Sequence, residues 1–255
     1  MEKEQKLFDL FLTSYNQQIT ELANNREYLN AGDITKALEL ILNCKGKLVV
    51  TGMGKSGLIG QKMAATFSST GTPAFFLHPG ESLHGDLGCL QSNDIMLVIA
   101  KSGESEEVTS MLRVVQKMQI PIIAILGNAD STAGSLADVI INARVAQEAD
   151  PLNLAPTAST TVALVIGDAL AAALIGMRGF NSEHFALFHP AGQLGKRLLL
   201  KVDDLLQLDQ GIPMLSVQAS IPELLAAENG PNLGGVMIVD ERGQLIGIVT
   251  DGDLR

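Results

Sequence analysis

The sequence is poor in aromatic residues and in cysteine. Tryptophan is absent and aromatic residues make up 4% of the 255 residues, whereas apolar residues as a whole make up 46%. The core must therefore be built mainly from Ala, Leu, Ile and Val, a composition that suits helices packed on a parallel sheet. The two cysteines, Cys44 and Cys89, have no C-x-x-C spacing. This excludes a disulfide framework and makes a reducing cytoplasm the expected compartment.

Positive charge is also scarce. The formal net charge is −10, with 18 Lys and Arg residues against 28 Asp and Glu residues. This balance argues against a nucleic-acid partner, because nucleic-acid binding needs a basic face that neutralises phosphates. An anionic ligand must then be held by local groups rather than by the field of the whole protein.

The sequence offers little that resembles a membrane segment. Its N-terminus, MEKEQKLFDLF, has acidic residues early and no apolar core of signal-peptide length. The longest apolar stretch, 161–177, carries Asp168 in its middle. A helix buried against a sheet is favoured there over a membrane span. We therefore expect a soluble protein with no membrane partner.

The hydrophobic pattern predicts an α/β domain that follows two N-terminal helices. Short apolar runs alternate with helical patterns, as in βαβ units whose parallel sheet is covered on both faces. The predicted N-terminal helices are 6–25 and 33–43, the strands are 47–51, 73–77, 94–100, 121–126 and 138–141, and the later helices are 56–69, 104–118, a short one after the fourth strand, and 157–177.

The pattern changes near residue 200. Residues 213–226 predict a strand and a helix, and VMIVDERGQLIGIVT predicts two strands joined by a hairpin turn at 241–243. We therefore divide the chain into a domain at 1–200 and a smaller segment at 201–255. Because the hairpin alone would leave an apolar face uncovered, we expect the second segment to be a truncated part of a longer domain.

The stretch VVTGMGKSGLIG, at 49–60, imitates two nucleotide-binding motifs. It contains G-x-G-x-x-G, but the next predicted strand ends in His78 and Pro79 rather than in the acidic residue that would hold a ribose. It also contains Gly54-Lys55-Ser56, but a P-loop needs a glycine five residues before the Gly-Lys pair, where Val49 stands. Neither nucleotide motif is complete.

Two hydroxyl-bearing loops follow predicted strands. One is 52–56, after the first strand, and the other is 101–107, after the third. In an open parallel sheet, ligands bind outside the carboxyl ends of the strands, where helix N-termini favour anions. Ser56, Ser102 and Ser105 are thus candidates to bind a phosphate. Serine is also a good helix N-cap, so helix capping remains the alternative interpretation for each loop taken singly.

These loops belong to longer motifs that carry a family resemblance. GMGKSGLIGQKMAATFSSTGTP, FFLHPGESLHGDLG, SGESEE, LAPTASTT and FHPAGQLGKRL resemble the arabinose 5-phosphate isomerase family of sugar isomerase (SIS) domain proteins across most of residues 45–200. The segment VMIVDERGQLIGIVTDGDL is similar to a CBS motif, which usually follows the SIS domain in that family. The resemblance implies an α/β/α sandwich with a five-stranded parallel sheet, followed by an incomplete CBS-like segment.

The resemblance also implies an activity and a set of site residues. The family interconverts D-ribulose 5-phosphate and D-arabinose 5-phosphate through an enediolate, without a cofactor, and supplies the synthesis of 3-deoxy-D-manno-octulosonate for lipopolysaccharide or capsule. Its catalytic residues carry over to Lys55, Glu107, Glu148 and His189, and the substrate-binding candidates are Gly54, Ser56, His84, Ser102 and Ser105. Moving a carbonyl between two carbons needs a base, an acid and a group that stabilises the enediolate, which this set can supply.

The residues alone leave other interpretations open. Lys55 fits a solvated helix start, although a cation at a positive helix end is unfavourable without an anion. Glu107 fits a charged first turn, Glu148 an exposed loop, and His189 a packed histidine with one backbone partner. None of the four histidines, His78, His84, His184 and His189, has metal-ligand spacing, so no metal is expected.

One loop departs from the family pattern. Many SIS loops carry a serine where this sequence has Ala100, and Lys101 follows it. A phosphate donor is then missing, and we interpret Lys101 as a charge that compensates for it.

The remaining expectations concern assembly and competing functions. The two N-terminal helices and 161–177 offer more apolar surface than one sheet face covers, which predicts a homo-oligomer; the family suggests a tetramer with active sites shared between chains. A non-catalytic SIS module that senses a sugar phosphate is the alternative function. A nicotinamide-dependent enzyme is disfavoured by the missing ribose carboxylate.

Overall fold

A computed structural model of the protein describes residues 1–190, 192–199, 201, 203, 213–228 and 234–254. The chain forms two compact units, Met1–Leu198 and Leu199–Arg255. The first unit contains the candidate site. The second contains a separate small sheet and is described at the end of this subsection.

Two helices precede the sheet. Helix α1 spans Glu2–Asn25, is followed by a 3-10 turn at Arg26–Tyr28, and leads to α2 at Ala31–Asn43. The side chain of Asn30 caps α2 by accepting hydrogen bonds from the amides of Gly32 and Asp33. Both helices end where the sequence pattern predicted, but they begin earlier: α1 gains the polar residues 2–5, and α2 gains Ala31 and Gly32 next to its Asn30 cap.

The predicted five-stranded parallel sheet is confirmed. Its strands are β1 Leu48–Gly52, β2 Ala74–Phe76, β3 Ile95–Ala100, β4 Ile122–Leu126 and β5 Val139–Asn142, each within one residue of the predicted start and end. All neighbouring strands are parallel, in the order β2-β1-β3-β4-β5. Chain order therefore reverses between β1 and β3, which are hydrogen-bonded neighbours.

Helices cover both faces of this sheet. They are α3 Gly54–Ser69, α4 Pro79–Ser82, α5 Glu106–Lys117, α6 Thr132–Leu136 and α7 Ala158–Arg178, and a 3-10 turn spans Asp86–Cys89. On one face, Val50, Leu97 and Ile125 pack in a core that α2, α3 and α7 complete. On the other, neighbouring strand residues such as Val49 and Met96 pack with α5. Because both faces are covered, the strands are continuous apolar runs rather than alternating ones.

Helix α7 is the longest apolar segment. Among the described helices it alone is long and apolar enough to cross a membrane by length and composition. Val162, Ile166 and Leu170 on this helix are nonetheless part of the sheet core. The core position agrees with the prediction of a helix buried against the sheet.

Two short helices follow α7, and the second unit completes the described chain. Helix α8 spans Ser182–Phe188 and α9 spans Gln193–Leu199. The second unit contains β6 Met214–Ser216, α10 Ile221–Glu228, β7 Gly235–Val239 and β8 Leu245–Thr250. Strand β7 is central in its three-stranded sheet, parallel to β6 and antiparallel to β8.

Candidate functional site

A cleft opens at the carboxyl edge of the sheet, between the loops that follow β1 and β3. This is the point at which the strand order reverses, the usual ligand position in an open α/β sheet. The cleft has a volume of about 180 Å³, and its lining residues are Met53, Lys55, Ser56, Ile99, Ala100, Lys101, Ser102, Ser105, Val108, Pro156 and Ser159. The two hydroxyl-bearing loops of the sequence thus lie on one cleft, and the start of α7 closes its other side.

The glycine turn after β1 is required by close backbone approach. A Cβ on Gly52 would lie 2.8 Å from the carbonyl oxygen of Ile99, and one on Gly57 would lie 2.5 Å from that of Gly52. Gly54 has a φ of +57°, which favours glycine. These glycines let the start of α3 pack directly on the strand ends. The glycines of the G-x-G-x-x-G pattern therefore have a packing role at this turn.

The serine hydroxyls in the cleft are mostly uncommitted. Ser105 stands at the N-cap of α5 without a side-chain capping bond, and Ser56 makes no side-chain hydrogen bond within the described residues. Ser102 Oγ accepts one long hydrogen bond, 3.3 Å, from the amide of Glu104. These hydroxyls are therefore available to a ligand.

Glu104 is not available to a ligand. Its carboxylate accepts hydrogen bonds from the amide and the hydroxyl of Thr132, at 2.8 and 2.7 Å. Both hydrogen bonds lower the pKa of the Glu104 carboxyl below its ordinary value, and the bond from the Thr132 hydroxyl has the larger effect. This carboxylate fastens the β3–α5 loop to the start of α6.

Lys55 is the exposed cation at the mouth of the cleft. It is the second residue of α3, where the helix dipole is positive. Within the described part of the chain, its ammonium forms neither an ion pair nor a hydrogen bond. A cation in that position gains from an incoming anion, and no carboxylate of the described residues pairs with it.

Lys101, by contrast, is paired. Its Nζ donates to Oε1 of Glu148 at 2.6 Å; the Lys101 side chain is 48% exposed and the Glu148 side chain is fully buried. The interpretation of Glu148 as an exposed loop residue is therefore wrong. Glu148 is buried by the fold of its own loop. The backbone amide of Glu148 donates to Asn153 Oδ1 at 2.6 Å, and the residues after Glu148 lead back to the start of α7.

The start of α7 completes the surroundings of Glu148. Oε1 also accepts from Ser159 Oγ at 2.5 Å, and Oε2 accepts from the amides of Thr157 and Ser159 and from Thr157 Oγ1. Burial raises the pKa of Glu148, but the hydrogen bonds from Lys101 and Ser159, together with those of the amides, outweigh it and lower the pKa to about 2. Glu148 is an ionised, fully satisfied carboxylate.

Three other sequence-predicted residues do not line the cleft. Glu107 lies half-buried in the first turn of α5, two residues beyond Ser105. His84 is exposed in the loop after α4. Gly54 contributes through its backbone turn. The structure thus brings Lys55, Ser56, Ser102 and Ser105 to the cleft, with Glu148 beneath Lys101.

His189 lies at the end of α8 and outside the cleft of its own chain. Its ring stacks on that of Phe185, with centroids 3.9 Å apart, and Nδ1 is 2.9 Å from the carbonyl oxygen of Phe185. Because a carbonyl only accepts, Nδ1 carries the proton in the neutral ring and Nε2 is left as the basic nitrogen. Nε2 has no partner within the described residues.

Ser159 and Thr157 are site residues that sequence reasoning missed. They lie in LAPTASTT, a motif that the sequence did single out, but nothing in the spacing indicated that their hydroxyls and amides would face Glu148. The sequence marked Lys101 as a departure from the family's loop pattern but did not indicate that it pairs with Glu148. Among the described residues, no group of three or more His, Cys, Asp or Glu side chains is arranged to hold a metal ion.

The family of the chain follows from comparison with known proteins. The family model described as SIS domain matches residues 41–173. The chain belongs to the SIS-domain family, and the predicted SIS-type α/β fold is confirmed.

Comparison with individual proteins identifies relatives whose activity is named. The sequence is 50% identical over 234 residues to the arabinose 5-phosphate isomerase KdsD of Escherichia coli strain K12, covering 92% of this chain and 71% of the relative. It is 49% identical over 223 residues to the enzyme of the same name from Pseudomonas aeruginosa, covering 88% and 68%. A solved structure of E. coli CFT073 c3406 in complex with arabinose 5-phosphate superposes with a TM-score of 0.70 at 36% identity, over 73% of this chain and 98% of that one.

Proposed function

We propose that this protein is an aldose–ketose isomerase that interconverts D-ribulose 5-phosphate and D-arabinose 5-phosphate. Curated relatives with that activity in their names are about half identical over most of the chain, and a structural relative binds arabinose 5-phosphate. The observation that carries the proposal is the cleft itself. It combines uncommitted anion-binding groups, Lys55, Ser56 and Ser105, with the charged pair Lys101–Glu148.

The reaction divides into binding and proton transfer. A phosphate is a dianion, so it suits the free ammonium of Lys55, the serine hydroxyls and the N-termini of α3 and α5. The other end of the sugar carries the carbonyl and the carbon-bound proton. Glu107 and His189 are the candidate proton carriers, because their acid–base groups are not saturated by protein hydrogen bonds in the described residues. An enediolate forms between the two proton transfers.

We further propose that the site is completed by a second copy of the chain in a homo-oligomer, a tetramer by family resemblance. The basic Nε2 of His189 has no partner among the described residues of its own chain, and crossing to a neighbour would bring it to a substrate. The order β6, α10, β7, β8 in the second unit agrees with a partial CBS motif, which stays a prediction. The cytoplasmic location also stays a prediction.

A discontinuous or coupled assay tests the function directly. Purified protein is incubated with D-ribulose 5-phosphate alone, with and without a chelator, and arabinose 5-phosphate is measured. Turnover that survives chelation supports a metal-independent isomerase. Tight sugar-phosphate binding without turnover would instead indicate a sensor.

A further inference from the structure

We propose that Lys101 is a catalytic residue that stabilises the developing oxygen anion of the enediolate, and that Glu148 is a positioning residue that holds Lys101 there. This inference rests on the proposed isomerase function and assigns roles within that site. It replaces two interpretations drawn from the sequence: that Lys101 compensates for a missing phosphate donor, and that Glu148 takes part directly in the chemistry.

Glu148 has no free position for a substrate proton. A carboxylate offers about four lone-pair sites. Four donors fill these sites within the described residues: Lys101 Nζ and Ser159 Oγ at Oε1, and the amides of Thr157 and Ser159 at Oε2. Thr157 Oγ1, whose one proton is shared with the carbonyl of Ala155, also lies 3.2 Å from Oε2. The side chain is also fully buried behind Lys101. A carbon-bound proton cannot reach it without breaking this set.

Lys101 has donors to spare and lies on the cleft surface. An ammonium has three N–H groups, and one of them is used on Glu148. The side chain is half-exposed and lines the same cleft as Ser56 and Ser105. Its carboxylate partner fixes the position of Nζ, so the remaining donors are oriented before substrate binds, which is the arrangement that electrostatic catalysis requires.

The charge of the pair favours a carbonyl oxygen over a phosphate. Glu148 Oε1 lies 2.6 Å from Nζ and neutralises it. A phosphate dianion on Lys101 would therefore lie close to a second, like-charged group, whereas the ammonium of Lys55 has no carboxylate partner among the residues that the structure describes. A sugar carbonyl is neutral in the ground state, so its interaction with Lys101 strengthens only as negative charge develops on oxygen.

The step balances without any further reactant. A base takes the proton from the carbon beside the carbonyl; the candidates are Glu107, two residues beyond the cleft residue Ser105, and His189 of a neighbouring chain. The C–H electron pair forms the C=C bond, and the C=O π pair moves to oxygen, where a Lys101 N–H hydrogen-bonds the anion. Return of the proton to the neighbouring carbon, with a proton shift between the two oxygens, completes the isomerisation. Lys101 gains and loses no proton overall.

Lys62 provides a matched control for the test. It pairs with Asp168 at 2.5 Å, and its side chain is 47% exposed, against 48% for Lys101. The pair joins the outer sides of α3 and α7 and does not line the cleft. Lys101→Met and Lys62→Met therefore remove equally exposed ammonium groups at different places, although the partner of Lys62 is 42% exposed and the partner of Lys101 is fully buried.

The experiment measures kcat and KM for D-ribulose 5-phosphate and the inhibition constant of inorganic phosphate. We expect Lys101→Met to lower kcat by about 10²-fold or more, the loss typical of one oxyanion donor, with KM and phosphate inhibition changed by less than about threefold. Lys62→Met should leave all three values near those of the wild type. Lys101→Arg should recover part of kcat, because it restores a donor.

Glu148 is tested through the double variant. If Glu148 acts only through Lys101, then Glu148→Gln should lower kcat, and Lys101→Met/Glu148→Gln should be no slower than Lys101→Met alone. The double variant also removes both charges, so it serves as the folded reference if Lys101→Met leaves Glu148 buried without its cation.

Several outcomes would overturn the proposal. A raised KM and weakened phosphate inhibition with unchanged kcat would make Lys101 a phosphate anchor. Equal kinetics for Lys101→Met and Lys62→Met would make the pair structural. A double variant much slower than Lys101→Met would give Glu148 a direct role. An inactive but folded wild-type protein would overturn the isomerase function itself, and with it this step.

Discussion

Ser105 and Ser131 precede two helices that pack against each other, but only Ser131 uses its hydroxyl as a helix cap. Ser131 Oγ accepts a hydrogen bond from the amide of Gly134 at the start of α6. Ser105 begins α5 without such a bond and lines the cleft. The capping interpretation, which the sequence left open for Ser105, therefore does not apply at α5, whereas Ser131 does cap α6.

This difference predicts opposite effects of the same substitution. Ser131→Ala should lower the free energy of unfolding by about 1 kcal/mol, the usual cost of a lost cap, and leave KM unchanged. Ser105→Ala should leave stability unchanged and raise KM about tenfold, because a hydrogen bond to a charged phosphate is lost. Denaturant unfolding and steady-state kinetics on both variants check this. A stability loss in Ser105→Ala with normal KM would return Ser105 to a capping role.

Lys55 should be essential for substrate use but not for folding. Its ammonium has no protein partner among the described residues, so Lys55→Met removes no hydrogen bond or ion pair within that part of the chain. We expect kcat/KM to fall by about 10²-fold, with an unchanged thermal midpoint. Lys117→Met, at the exposed far end of α5, is the control and should behave as the wild type. Near-normal kinetics in Lys55→Met would assign Lys55 to the solvated surface.

Glu148 makes stability depend on pH in a defined window. Its pKa is about 2 in the folded protein, against an ordinary value of 4.5. A depressed carboxyl pKa means that the unfolded chain binds the proton first as pH falls. The stabilisation is therefore complete above about pH 5 and is lost as pH falls toward 2. At its upper bound this amounts to about 3 kcal/mol.

Urea unfolding of the wild type and Glu148→Gln at pH 7 and pH 3 measures this contribution. The difference in unfolding free energy between the two proteins should shrink at the lower pH. Glu39→Gln, at an exposed glutamate of α2, controls for the loss of one acidic group. A difference that stays constant with pH would contradict the assigned pKa shift.

The sheet was predictable, whereas the contacts within the cleft were not. Strands such as Ile122–Leu126 are apolar on both faces, so their sequence runs directly indicate buried parallel strands. Helix α4, Pro79–Ser82, was missed because four residues carry no periodicity. The Lys101–Glu148 pair joins residues 47 positions apart, and its geometry depends on how the loop before α7 folds back. The local sequence pattern does not indicate how the loop before α7 folds back toward Lys101.

An apolar stripe on α1 predicts the surface used for assembly. Leu7, Phe11, Tyr15 and Ile19 recur every four residues and are each more than half exposed, and the rings of Phe11 and Tyr15 stack on each other. We expect an oligomer by light scattering at micromolar concentration, and Phe11→Glu should shift it toward smaller species, since burying a charge there is costly. Asn16→Glu, at an exposed position of the same helix, is the control. A monomeric wild type would refute the oligomer.

His189 should act on the active site of a neighbouring chain. It lies after α7, outside the cleft of its own chain, and its basic Nε2 has no partner within the described residues. His189→Asn and Lys55→Met should each lose most of the activity, about 10²-fold or more, because each site lacks one residue. When the two variants are mixed and subunits exchange, some oligomers contain a site with Lys55 from one chain and His189 from another, and part of the activity should return.

This experiment distinguishes a His189 that acts in the site of a neighbouring chain from one that acts in its own chain. Subunit exchange is first verified with differently tagged wild-type chains, and mixing two preparations of Lys55→Met provides the baseline. The double variant Lys55→Met/His189→Asn, mixed with wild type, shows how far dilution alone lowers activity. Recovery in the mixture of single variants requires both residues to meet across a subunit boundary. Confirmed exchange without recovery would place His189 in its own chain's site or in a packing role.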